Sequence, residues 1–157
     1  MTKTRYTLLA ILVVTILGVV YLFGQGSFLL PRESKPMQTV TLNDGDRYAL
    51  TAGYVTKELG GRTHRMLAYN GSIPGPTIRV QEGATVTIVF KNDTDLPAAL
   101  HSHGVRMENR FDGAPPVTQK ETPPGGSFEY TLMFPDPGVF WYHPHVAEVY
   151  EQPLGLY

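Results

Sequence analysis

The chain has 157 residues, a formal net charge of −1 at pH 7 and no cysteine, with 16 Gly and 13 Pro. That length holds one domain plus an appendage, and a near-neutral chain without a basic cluster gives nucleic-acid binding no electrostatic support. The missing cysteine excludes a disulfide framework, a zinc–thiolate site, a cysteine nucleophile and, within this chain, a blue copper centre, which needs a thiolate ligand.

Residues 1–5 include Lys3 and Arg5 and read as the cytoplasmic n-region of an export segment. Residues 6–23 follow as eighteen positions without a charge. As a helix rising about 1.5 Å per residue they would span about 27 Å, enough for a hydrocarbon core. The run exceeds the roughly 7 to 15 apolar residues of a cleaved signal, which favours a retained transmembrane anchor. Gly24-Gln25-Gly26 nevertheless offers a small-x-small triplet that a signal peptidase could cut. Either way the remainder is expected on the extracytoplasmic side, membrane-anchored or, after cleavage, secreted. Residues 24–37 hold two prolines and mixed charge without periodicity and read as a linker.

From residue 38 to 157 the chain reads as all-β and antiparallel. Residues 38–42, 48–56, 62–69, 77–81, 85–92, 127–134 and 139–145 are short runs rich in Val, Thr, Ile, Tyr and Phe, several alternating in polarity. Turn signals such as Asn43-Asp44-Gly45, Asn70-Gly71 and Asp136-Pro137-Gly138 separate them, at the spacing of a sandwich or Greek-key barrel. No long amphipathic helix is expected after the apolar segment, at most a turn or two over residues 147–151. The apolar residues 154–157 read as the approach to another strand, as in a fragment of a longer protein.

Four of the five histidines form two matched pairs, His101-Ser102-His103-Gly104 and Tyr142-His143-Pro144-His145. On an extended strand, residues i and i+2 point to one face, roughly 6.5 to 7 Å apart at the backbone, so each pair aims two imidazoles into one space. Two such strands side by side would offer four nitrogen ligands, a set that suits zinc, copper, iron or nickel. The fifth, His64, is isolated among polar neighbours and reads as a surface residue. Residues 109–124 hold four prolines and read as a loop returning over the site. On residue type alone Asp112, beside Gly113, is an Asx-turn residue. Asn70-Gly71-Ser72 and Asn92-Asp93-Thr94 match a glycosylation acceptor, a pattern too common to weigh.

Six linked stretches carry a resemblance: Tyr69-Asn-Gly-Ser-Ile-Pro-Gly-Pro-Thr-Ile78, His101-Ser-His-Gly104, Phe111-Asp-Gly113 with Val117-Thr-Gln119, Pro123-Pro-Gly-Gly-Ser-Phe128, Trp141-Tyr-His-Pro-His145 and Gly155-Leu-Tyr157. Over residues 38–157 the chain resembles the N-terminal cupredoxin domain of the laccase-like multicopper oxidases. The resemblance implies a cupredoxin-like Greek-key sandwich or barrel. It implies that His101 ligates a type 2 copper, that His103, His143 and His145 ligate the type 3 pair, and that Asp112 sits near the cluster and assists proton delivery. It also implies the reaction: dioxygen is reduced to water with electrons from a reducing substrate such as a phenol or metal ion, which this part of the chain does not specify.

The family's cluster uses eight histidines and a His-Cys-His segment that joins it to the blue copper. This chain offers four histidines and no cysteine, so it is expected to supply half of a site completed by a C-terminal cupredoxin domain, and to be inactive alone. Two other readings remain: a copper-binding module without turnover, and a zinc site of His-x-His type with an open position.

Overall fold

A computed structural model of the chain describes residues 31–157. Nine strands follow in order: β1 (Arg32–Glu33), β2 (Thr39–Leu42), β3 (Arg47–Leu59), β4 (Arg62–Tyr69), β5 (Thr77–Val80), β6 (Thr85–Asp93), β7 (Leu100–His103), β8 (Ser127–Met133) and β9 (Trp141–Pro144). One helical turn, α1 (Glu148–Glu151), comes after β9. The larger sheet runs β1-β3-β6-β8 with β4 also paired to β3. The other four strands form two separate pairs, β2-β5 and β7-β9. Among the described residues no helix is long and apolar enough to cross a membrane, and the apolar segment 6–23 lies outside them.

Alternation builds the core. In β6 the side chains of Val86, Ile88, Phe90 and Asn92 are buried while those between them are not, and β8 buries Tyr130 and Leu132 opposite them. Phe90 and Tyr130 meet edge to face with ring centroids 6.4 Å apart. Leu50 and Ala52 from β3, Leu67 and Tyr69 from β4, Leu100 and Leu156 join this cluster. Each fully buried large apolar side chain contributes about 1.5–3 kcal/mol relative to an exposed one.

Two expectations are corrected. The strands are not all antiparallel: β1-β3, β2-β5 and β3-β6 pair in parallel. Turn residues mark hairpins locally, whereas parallel partners are set by long connections that leave no local signal. The stretch read as linker also contributes structure, since Arg32 and Glu33 pair with Val55 and Thr56, and Lys35 donates its amide to the Gly71 carbonyl at 2.7 Å. Two paired residues are too few for periodicity to register.

Both glycosylation-like asparagines are consumed by the fold. Asn92 is fully buried; its amide donates to the carbonyls of Leu96 (2.7 Å) and Thr122 (2.9 Å), and its Oδ1 accepts from the backbone and hydroxyl of Thr94. Asn70, at φ 50°, donates to the Tyr48 hydroxyl and the Ala49 carbonyl, both at 2.9 Å.

Glu151 on α1 is an exception to the rule that buried polar groups are paired. It is fully buried, and neither carboxyl oxygen has a hydrogen-bond partner. Burial pushes its pKa up from 4.5 to about 7. The folded chain therefore holds this proton over a range, about pH 4.5 to 7, in which the unfolded chain has released it. Stability should fall as pH rises through that window, by on the order of 3 kcal/mol. Glu151→Gln, which stays neutral, should flatten that part of the urea-midpoint against pH curve and leave the variant the more stable protein at pH 8.

Candidate metal centre

The antiparallel β7-β9 pair places the two histidine pairs opposite one another, with His101 across from His143 and His103 across from Trp141. The His145 amide extends the ladder by donating to the Ala99 carbonyl at 3.1 Å. His101 is the centre of the group: its ring centroid lies 5.3 Å from His103, 5.2 Å from His143 and 5.3 Å from His145. One nitrogen from each of His101, His103 and His143 lies within 4.8 Å of the others. His145 does not join that triad; its ring stands beside it, 6.2 Å from His143. His143 is buried, His101 is half-buried, and His103 and His145 face solvent. His64 is exposed on β4, as expected.

Hydrogen bonds fix the lone pairs. His101 Nδ1 donates to the Asp112 carbonyl at 2.6 Å, which leaves Nε2 as the free lone pair. His143 Nδ1 donates to the Pro144 carbonyl at 2.8 Å, and its Nε2 faces His103 Nδ1 at 3.4 Å. Two nitrogens bound to one tetrahedral ion at about 2.0–2.1 Å stand roughly 3.3–3.4 Å apart, so this spacing suits a shared cation. Burial lowers the pKa of His143, and the neighbouring His101 and His103 add to that effect. The ring therefore stays neutral, the form that ligates a metal.

The surrounding motifs hold these rings in place. Trp141 stacks on His143 at 4.1 Å and 24°. The Tyr142 hydroxyl donates to the Pro76 carbonyl at 2.6 Å, and a Cβ on Gly75 would lie 2.7 Å from that hydroxyl. The Ile73–Pro76 stretch thus props β9 from beneath. Gly113, at φ 76°, lies so close to β7 that a Cβ would come within 1.9 Å of the Leu100 carbonyl oxygen. That approach delivers the Asp112 carbonyl to His101, while the Asp112 carboxylate stands farther off at 3.6 Å. Thr118 Oγ1 closes the loop by accepting from the Ala114 amide at 2.8 Å.

Residue-type reasoning missed Tyr130. Its hydroxyl accepts from the Leu100 amide at 3.0 Å, one residue before His101, from a strand 30 positions away. Burial pushes its pKa up to about 12, so it remains a neutral phenol. The only local signal was its place in the alternation of β8. Tyr130→Phe strands a buried amide and should cost about 1–3 kcal/mol, read as a lowered urea midpoint.

A profile of the multicopper oxidases matches residues 51–157, more than half of the chain. The chain belongs to the multicopper oxidase family. It is similar to copper resistance protein A of Pseudomonas syringae pv. tomato, 32% identical over 113 residues that make 72% of this chain and 18% of that protein. The multicopper oxidase MmcO of Mycobacterium tuberculosis is 40% identical over 90 residues, 57% of this chain and 18% of its own. Among solved structures, a multi-copper oxidase from Pseudomonas thermotolerans superposes with a TM-score of 0.69 at 34% identity, covering 76% of this chain and 28% of that one. The strand-built domain is thus the multicopper oxidase type, as the resemblance implied. The chain spans about a fifth of the curated relatives it matches, 18% in the two named here. Membership implies copper, and an all-imidazole donor set with fixed lone pairs fits that ion.

Proposed function

We propose that this chain forms the N-terminal part of a laccase-like multicopper oxidase and supplies half the histidines of its oxygen-reducing copper cluster. His101 is the type 2 ligand, and His103, His143 and His145 are type 3 ligands. What carries the reading is the facing of His101 and His143 across one antiparallel pair, with three imidazole nitrogens within 4.8 Å of one another. Copper bound there would supply one-electron steps that sum to reduction of dioxygen to water. The chain's own part is to hold neutral imidazoles at fixed spacing and to orient them through the Asp112 and Pro144 carbonyls. Asp112 is the proposed proton carrier, a role supported by its carboxylate standing 3.6 Å from His101 Nδ1 and being 37% exposed.

With four of the eight cluster histidines and no cysteine, the chain alone binds copper without turnover. The electrons come from a phenol, metal ion or similar donor through a thiolate-bound copper on a C-terminal cupredoxin domain. The test is oxygen uptake with such a donor. It should be absent for this chain with copper, and present, with water as product, once a domain bearing the His-Cys-His segment is joined to it. Uptake restored equally when zinc replaces copper would contradict the assignment.

The uncharged segment 6–23 is proposed to hold the domain at the outer face of a membrane. Support comes from its length and apolarity and from Lys3 and Arg5 before it.

A further inference from the structure

Four consecutive residues lead into the metal centre, and each is held by a different part of the chain. Ala98 forms an antiparallel bridge with Thr122, donating to its carbonyl at 3.0 Å and accepting from its amide at 2.8 Å. The Ala99 carbonyl accepts from the His145 amide, the Leu100 amide donates to Tyr130, and His101 donates to the Asp112 carbonyl. Of these mounts, Thr122 has no hold through its own side chain, since its buried Oγ1 finds no partner. Asn92 on β6 supplies the hold. Its Nδ2 donates to the Thr122 carbonyl at 2.9 Å and to the Leu96 carbonyl at 2.7 Å. Its Oδ1 accepts from the amide and the hydroxyl of Thr94 at 3.0 and 2.7 Å. Two donors and two acceptor sites are all that a carboxamide has, so every one is used. The two halves serve different ends. A turn over residues 92–94 needs only Oδ1. The amino half reaches 30 positions along the chain, to the loop that returns over the histidines.

We propose that Asn92 is a positioning residue for the metal centre, which acts through the Ala98–Thr122 bridge to set where β7 leaves the main sheet. Its amino group holds that bridge from two directions, at Leu96 on the way in and at Thr122 across from Ala98. Asn92 is itself anchored in the core. Its backbone donates to the Gly126 carbonyl at 2.9 Å and accepts from the Gly125 amide at 2.7 Å, and its side chain is fully buried. Ala98, Ala99 and Leu100 are buried as well, so water does not replace a partner that is lost there. His101 lies three residues beyond Ala98, and the His145 amide rests on the Ala99 carbonyl. A shift of the bridge therefore moves His101 and His145 relative to His143. Ligands have to be held within about 0.5 Å of their working positions, so a small shift suffices. The proposal rests on the reading of these histidines as copper ligands and adds what aims them.

The experiment uses the whole chain with two substitutions that divide the carboxamide. Asn92→Asp keeps the acceptor for Thr94 and loses the amino group that donates to Thr122. Thr94→Val removes one bond to the acceptor half and leaves the donors alone. Both sites are buried, so both variants should have lowered urea midpoints. Only Asn92→Asp should also weaken Cu(II) binding, by at least about tenfold, and alter the histidine-nitrogen couplings in the pulsed paramagnetic resonance spectrum of the bound ion. Thr94→Val should keep those couplings. The linkage is reciprocal, so copper added to the unaltered chain should slow hydrogen exchange of the Ala98 and Thr122 amides by at least about fivefold. Exchange at Gly60 and Gly61, in the turn between β3 and β4, should not change. This second arm decides the matter if Asn92→Asp does not fold. Unaltered couplings in Asn92→Asp, the same alteration in both variants, or exchange at Ala98 and Thr122 that ignores copper would overturn the proposal. Failure of the unaltered chain to bind copper would overturn the reading of the histidines, and the proposal with it.

Discussion

His143→Ala should weaken Cu(II) binding by at least about 100-fold, since removing a ligand costs more than the 10- to 100-fold that loss of an outer hydrogen-bond partner costs. His143 is singled out because it is the most buried of the four, with its Nε2 aimed at His103 Nδ1 at 3.4 Å and its other nitrogen tied to the Pro144 carbonyl. Trp141 stacks on the ring from one side. His64→Ala is the matched control: it removes an exposed imidazole on β4 and should leave affinity within about twofold, because a lone surface histidine offers a single weak ligand. Isothermal titration with Cu(II) against a competing chelator measures both. Equal loss in the two variants, or in neither, would mean that copper binds elsewhere.

Gly113→Ala should destabilise the chain by about 4 kcal/mol or more, a size reserved for substitutions with a definite structural cause. A positive φ of 76° costs an L-residue about 1–2 kcal/mol. The greater part comes from the methyl group, which would lie 1.9 Å from the Leu100 carbonyl oxygen and 3.1 Å from the His101 amide. Since both are β7 backbone, the loop must move away and withdraw the Asp112 carbonyl from His101 Nδ1. Gly125→Ala isolates the strain alone, because Gly125 has a φ of 75° and open space around it. It should lose only about 1 kcal/mol. Urea denaturation of the two variants gives the difference. Gly113→Ala should also weaken copper binding, as His101 loses the acceptor that fixes its ring, and Gly125→Ala should not.

Much of this is legible in the sequence alone. Strand positions followed from polar alternation, best in β6, where Val86, Ile88 and Phe90 repeat at a period of two. The paired histidines announced a metal centre because the same period puts i and i+2 on one face. What stayed hidden was set by contacts distant in sequence. Nothing near His101 names Tyr130 as the acceptor for the Leu100 amide. The parallel pairing of β3 with β6 rests on a crossover that no turn residue marks. Asp112 drew notice for its carboxylate, yet its main-chain carbonyl makes the closer contact with His101, and a carbonyl carries no sequence signal at all. Gly113 was visible only as a turn residue. The need for glycine there comes from the strand it lies against.

Whether these imidazoles grip one metal centre together is best read by pulsed electron paramagnetic resonance on the Cu(II)-loaded chain, with histidine labelled with nitrogen-15. The account predicts couplings to more than one histidine nitrogen, unchanged in His64→Ala and abolished in the His101→Ala/His143→Ala double variant. A copper spectrum showing one histidine or none, or one that survives the double substitution intact, would contradict it.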